Sequence, residues 1–312
     1  MPSLLSAERA VPRSWGEFIP PAARVQLAVV AALVLMTYAS PIRSDLVWKW
    51  THDGNWSHGW LVPLFSLYFL VTHREEVFAS VRRPNYLGAV VIAGSLAVYL
   101  ACAWWLQMSY PQAVSMLGVL FGLVLLFGGW GLLRVTWFPI GFLLLAVPLP
   151  ESVYVEVTMP LRMVSSVVAA KVMPLFASGL YTEPQGVVID YVMAGGRPGS
   201  LNVEEACSGM RLMMAFVTLG VAMAYLGDRP VWQRVIMVIS CAPIAIICNA
   251  LRVTITGLLH VYGYEEYGRG TAHQLLGIGM LVVALGLYAL TGYVLSHLVV
   301  EEPETEDGET AD

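Results

Sequence analysis

The chain has 312 residues, of which 57% are hydrophobic and 12% charged, and its mean hydropathy is +0.68. Soluble domains carry roughly 25% charged residues, so a soluble globular enzyme is excluded and a polytopic membrane protein follows. The net charge of −5 says little about partners, because much of it comes from the terminal run EEPETEDGETAD; no basic stretch interleaved with aromatics is present, which argues against nucleic acid.

Residues 1–24 read as a polar cytoplasmic segment. Apolar segments follow near 25–40, 59–72, 87–106, 112–130, 135–149, 208–226, 231–251 and 274–298. A crossing helix needs about 20 residues. The first, second and fifth segments therefore need their flanks, and the last has room to tilt. The first run ends in TYASP, like a cleavage site, but its long polar lead and the spans behind it read as an uncleaved anchor. Within the fourth, GVLFG (Gly118, Gly122) suits a close helix contact. NWS at Asn55 matches a glycosylation sequon, a pattern that arises by chance.

The stretch 158–178, TMPLRMVSSVVAAKVMPLFAS, holds Arg162, Lys171, Pro160 and Pro174. It is expected to be an amphipathic or re-entrant helix, because an unpaired cation in hydrocarbon costs about 2.5–3.5 kcal/mol. Residues 179–206 differ in kind. Gly and Pro turns flank GVVIDYVM and SLNVEEA, which read as short strands in an outer loop. Lying just before Cys207, that loop can pair with an extended peptide by edge addition. Residues 301–312 are an acidic tail without apolar periodicity, expected to be disordered. The expected fold is an all-α polytopic membrane protein. It has about eight transmembrane helices, an amphipathic or re-entrant helix and a short strand-like outer loop, in one membrane domain over 25–300.

Basic residues orient it. With the N-terminus inside, Arg9, Arg13, Arg24, Arg74, Arg82, Arg83, Arg134, Arg229 and Arg234 are cytoplasmic, against Arg43, Lys49, Arg252 and Arg269 outside. Counting 158–178 as a span would reverse everything after it and send Arg229 and Arg234 outward.

Of the cysteines, Cys102, Cys241 and Cys248 lie in apolar runs and read as buried hydrophobes. No C-x-x-C occurs, so neither a zinc site nor a redox pair is expected, and no cofactor is implied. Cys207 stands apart, in NVEEACSGMRLMMAF. Under the topology above, Cys207 opens the sixth span, Arg252 ends the seventh and His273 opens the eighth, all at outer helix ends. Their chemistry fits one reaction. A helix N-terminus and a nearby cation, here Arg211, lower a thiol's pKa from about 8.5 to about 3.5–7.5. Histidine can protonate a leaving amine near neutral pH. A guanidinium keeps its charge when desolvated and can stabilise an oxyanion. Together they describe cysteine acyl transfer. Each also has a bland reading: a structural thiol, an interfacial anchor, a polar cap. Glu204 and Glu205 can cap the helix, or Glu205 can pair with Arg211 or Arg252. Asn249, one turn before Arg252, can orient a substrate or the guanidinium. His58 also starts a span on the outer side and is a rival base.

Five blocks resemble the exosortases, of the exosortase/archaeosortase group of integral membrane cysteine transpeptidases. They are WSHGWLVPLFSLYFL (56–70), FPIGFLLLAVPLPESVY (138–154), EEACSGMRLMMAF (204–216), APIAIICNALRVTITGLL (242–259) and AHQLLG (272–277). The resemblance covers roughly 45–298. It implies Cys207 as nucleophile, Arg252 as the residue that binds an oxyanion or a substrate carboxylate, and His273 as acid/base. It favours His273 over His58, which becomes a substrate-pocket or structural residue. It implies substrates that are secreted proteins with a C-terminal PEP-CTERM-like signal: a short motif, a transmembrane helix and a basic cluster. Cleavage would occur outside a bacterial cytoplasmic membrane, with transfer to an unidentified surface acceptor, in systems that accompany exopolysaccharide production. Met210, Met213 and Met214 depart from many relatives and leave the subtype and recognised motif open. The competing reading is a multi-span subunit of polysaccharide polymerisation or export, prompted by the many short helices and by Trp48, Trp50, Trp56 and Trp60. Transporters place ionisable groups near the midplane, whereas these cluster at helix ends.

Overall fold

The computed structural model describes residues 20–81, 83–196, 198–203, 210–264 and 270–298. The expected cytoplasmic segment lies mostly outside the described residues, and the acidic tail entirely so. Two compact units divide at Tyr154 and Val155.

In the first unit, α1 (Pro21–Thr37) bends by 67° into α2 (Ala39–His52). Pro41 causes the break. It has no N–H to offer the Thr37 carbonyl four residues back, and the Tyr99 hydroxyl donates to that oxygen instead, at 2.9 Å. A 3₁₀ turn, Gly54–Trp60, leads into α3 (Leu61–Thr72), then α4 (Arg74–Ser80), α5 (Leu87–Leu106) and α6 (Ser109–Phe142), which tightens into a 3₁₀ turn over Leu143–Ala146.

α6 is two arms. Gly129 has φ 72° and ψ −172°, a left-handed-side backbone that favours glycine. In a straight helix Ala113 and Val147 would lie about 50 Å apart, yet both are buried in one cluster with Leu46. The expected segments 112–130 and 135–149 are these arms. α3 packs on the second arm, with Phe69 against Phe138 and Phe142 and the Ser66 hydroxyl donating to the Pro139 carbonyl at 2.9 Å. α5 packs on the first arm where glycines let the backbones close. A Cβ on Gly122 would lie 2.9 Å from the Gly88 carbonyl oxygen and 3.0 Å from the Ile92 nitrogen. The close contact expected at Gly118 and Gly122 is therefore present.

The second unit holds most of α7 (Glu151–Phe176), the strands β1 (Leu180–Gln185), β2 (Val188–Met193) and β3 (Pro198–Asn202), then α8 (Met210–Leu226), α9 (Val231–Val261) and α10 (Gly270–Leu298). The sheet is antiparallel in the order β1-β2-β3. β2 and β3 were expected; β1 was not, because LYTEPQ carries Pro184 and Glu183. A proline is tolerated on an edge strand, and β1 is one. Leu180, Ile189 and Leu201 form the sheet's inner face. They bury against Ala169, Ala170 and Met173 of α7 and Val253 of α9.

Among the described residues, five helical stretches are long and apolar enough to cross a membrane, or six if the bent α1–α2 pair counts as one. About eight were expected. The two arms of α6 form one of these stretches, and α3 and the apolar part of α8, Met213–Leu226, are shorter than a crossing helix. α7 extends the helix expected over 158–178. It is one helix of 26 residues that starts seven residues earlier and runs through Pro160 and Pro174, and its length and composition alone do not separate a crossing path from a re-entrant one. Its amphipathicity is inverted. Thr158, Arg162, Ser165, Ser166, Ala169, Ala170 and Met173 are buried, while Val157, Met163, Val164, Val167, Val168 and Leu175 face outward. The guanidinium of Arg162, 8% exposed, is enclosed by protein, so the penalty assumed for it in lipid does not apply.

Candidate active site

A cleft opens between α8, α9 and α10. Its wall is apolar (Met213 and Phe216 of α8, Met280 and Leu281 of α10) except for Asn249 and Arg252 of α9. Arg252 is 3% exposed. A guanidinium so deep in an apolar bundle cannot shed its proton and needs oriented partners. Asn249, one turn before it, faces the same cleft.

The helices around the cleft run antiparallel in a definable register. Gly292 of α10 lies against Met237 of α9, while Cys248 and Asn249 share the cleft with Met280 and Leu281. Carried on, this register brings helix position 273 about one turn beyond Arg252. On the other side, Gly220 of α8 lies against the Cys241 sulfur, and Met213 lines the cleft with Asn249 and Arg252. The start of α8 at Met210 thus comes level with Arg252. The end of α9 and the starts of α8 and α10 meet at the level of the sheet. The Tyr191 hydroxyl of β2 hydrogen-bonds His260 Nδ1 of α9 at 2.8 Å there.

Among the residues singled out in the sequence, Arg252 and Asn249 come together. Cys207 and Glu205 lie outside the described residues. Arg211 and His273 are helical positions in the first turns of α8 and α10, and their side chains lie outside the described set. Among the described residues, no group of three His, Cys, Asp or Glu side chains could hold a metal ion.

Sequence reasoning missed the polar seam between α7 and α9. Asn249 Nδ2 donates to Ser165 Oγ at 2.8 Å. Ser165 and Ser166 are fully buried, and Thr158 and Thr256 nearly so. A helix burying hydroxyls while showing valines outward has left its small residues for a helix neighbour. The available signal was the spacing of Arg162, Ser165, Ser166 and Ala169 on one helical face.

His58 belongs to the first unit, where it has a structural task. Ala146 closes a 3₁₀ turn, and the backbone turns extended at Val147 (φ −81°, ψ 116°), so its carbonyl lies at a helix end without the donor a continuing helix would bring. The Trp50 indole donates to the Ala146 carbonyl at 2.8 Å. His58 Nε2 reaches the adjacent Leu145 carbonyl at 3.3 Å; a carbonyl only accepts, so Nε2 carries the proton. The indole of Trp50 passes over Gly59, where a Cβ would overlap it. The SHG and PLPE segments are therefore one joint. Burial pulls the His58 imidazole below its ordinary value of 6.5, partly offset by the Leu145 and Asn55 carbonyls. Above pH about 6.5 the imidazole is neutral in both folded and unfolded chains, so it contributes no penalty. As the pH falls below that value, the unfolded chain takes up a proton that the folded one refuses, and stability is lost. Thermal unfolding of His58→Gln, which keeps a donor for Leu145, should show a weaker decline between about pH 6.5 and 5 than the parent. Equal slopes would remove His58 from the acid response.

A family model described as transmembrane exosortase (Exosortase_EpsH) matches residues 50–290 of the chain. No curated protein and no solved structure matches it.

Proposed function

Because the chain belongs to the transmembrane exosortase family, we propose that this integral membrane protein is a cysteine peptidase and transpeptidase. It cleaves PEP-CTERM-like C-terminal sorting signals of secreted proteins at the outer face of the bacterial cytoplasmic membrane and passes them to a surface acceptor. The observation that carries this reading is the buried Arg252, in a cleft at the level where α8 starts and where the register brings position 273.

In this reading the Cys207 thiolate attacks the scissile carbonyl carbon and forms a carbon–sulfur bond, while the carbonyl electron pair moves to oxygen. Arg252 faces that oxyanion or a substrate carboxylate. As the intermediate collapses, the carbon–nitrogen bond breaks and His273, as imidazolium, gives its proton to the leaving amine. The neutral imidazole then takes a proton from the acceptor, an amine or water, which displaces the thiolate from the thioester. Arg211 and the helix start favour the thiolate, and Glu205 orients the cations. A substrate helix would cross beside the enzyme, its basic cluster on the cytoplasmic side and its motif level with Cys207.

The test is direct. Cys207→Ala, inserted at the parent level in membranes, should give no detectable processing of a secreted protein that ends in such a signal. Normal processing by that variant would shift the reading to the polysaccharide-export subunit.

A further inference from the structure

The contact between Ser165 and Asn249 has a direction that chemistry dictates. Ser165 Oγ has two close partners, the Leu161 carbonyl at 2.8 Å and Asn249 Nδ2 at 2.8 Å. A hydroxyl has one hydrogen. In the structure that hydrogen goes to the Leu161 carbonyl, and the Ser165 oxygen accepts. Asn249 must then donate. A flipped carboxamide would face Ser165 with an acceptor, and the hydroxyl would have to leave Leu161 to meet it. The amide is thereby held by its Nδ2 on Ser165 of α7, in a residue that lines the cleft beside Arg252.

We infer that Ser165 is a positioning residue: by fixing the Asn249 carboxamide it presents Oδ1 as an acceptor to the Arg252 guanidinium and sets the plane of that fork. The inference rests on the catalytic reading above and names what orients its cation. Without the Ser165 acceptor, the amide can turn over and put an N–H against the guanidinium, donor against donor. Arg252 then keeps its charge but loses its aim. A planar fork that binds through two parallel hydrogens is sensitive to that loss.

The experiment uses full-length protein in proteoliposomes and a secreted substrate that ends in a short motif, an apolar helix and a basic cluster. Ser165→Ala should lower kcat about tenfold with KM within about twofold. In an Asn249→Ala background the same change should cost less than about twofold, because the amide it positions is gone. Ser166→Ala is the packing control. It is fully buried and makes no hydrogen bond among the described residues, so its kcat should stay within about twofold of the parent. Thermal unfolding of the same variants in detergent reads the contact without activity, and non-additive shifts of Ser165→Ala and Asn249→Ala are expected. Losses that multiply, additive unfolding shifts, or a Ser165→Ala protein that behaves like Ser166→Ala would overturn the inference. Cleavage that survives Cys207→Ala overturns the catalytic reading and the positioning role with it. A dead Cys207→Ala beside an unaltered Ser165→Ala overturns the positioning role alone.

Discussion

Arg252→Lys is expected to lower processing by about 10²–10³-fold, the usual cost of losing one fixed donor to an oxyanion, in protein that still inserts. Lysine keeps the length and the formal charge, so a merely interfacial anchor would tolerate it. Arg252 is not at an interface; it is 3% exposed, between α8 and α10. Two losses follow from the change. An ammonium offers hydrogens from one point and cannot reproduce the parallel pair of a guanidinium. Burial also disfavours its charged form, so a lysine at this depth tends to give up its proton, whereas arginine does not. Steady-state kinetics separates the two tasks considered for Arg252. If it faces the oxyanion, kcat falls and KM holds; if it binds a substrate carboxylate in the ground state, KM rises and kcat holds. Activity within about threefold of the parent would remove Arg252 from the chemistry altogether.

Gly122→Ala should destabilise the protein by about 1–3 kcal/mol, as overpacking does, whereas Gly257→Ala should be close to neutral. Both glycines are in helix interiors, where alanine gains roughly 1 kcal/mol of propensity. What the added methyl meets decides the sign. At Gly122 it meets main-chain atoms of Gly88 and Ile92 at 2.9 and 3.0 Å. Backbone cannot turn aside, so α5 and α6 would have to part. At Gly257 the methyl meets the tip of Met173, Cε and Sδ at 2.8 Å, and a Leu201 methyl at 3.1 Å. A thioether tip can rotate away. Gly257→Leu has no such relief, since Met173 is already fully buried beneath the sheet. Thermal unfolding in detergent of Gly122→Ala and Gly257→Ala side by side gives the comparison. An equal or reversed order would contradict the packing described for the two seams.

Much of the architecture was legible in the sequence because hydrocarbon demands long apolar runs, and those runs mark α5, α9 and α10 directly. The turn between the arms of α6 was legible as GGWGLLR, glycines and an arginine within apolar flanks. α7 was not. Two prolines and two cations look hostile to a long apolar helix only when all sides are assumed to meet lipid. Here the arginine and the hydroxyls face protein, and one sequence does not say which face meets lipid. β1 escaped for a related reason: proline argues against a strand in general, and only the sheet order shows that LYTEPQ runs along an edge. At the site, residue types pointed to Arg252 and Asn249 through their spacing of three. Ser165 lies 84 positions from Asn249, and no local pattern links residues that far apart.

Two carbonyl oxygens of the first unit lack the main-chain donor a continuous helix would give, Thr37 because Pro41 has no N–H and Ala146 because the backbone turns extended at Val147, and distant side chains take up the debt: Tyr99 for Thr37, and Trp50 for Ala146. Each of these two breaks is thus tied to a residue tens of positions away that has no reason of its own to be polar at its tip. Protein engineers who restore an N–H at position 41 would make the Tyr99 hydroxyl surplus, and those who remove the hydroxyl first would strand an acceptor. The two sites can be exchanged safely only as a pair, in that order.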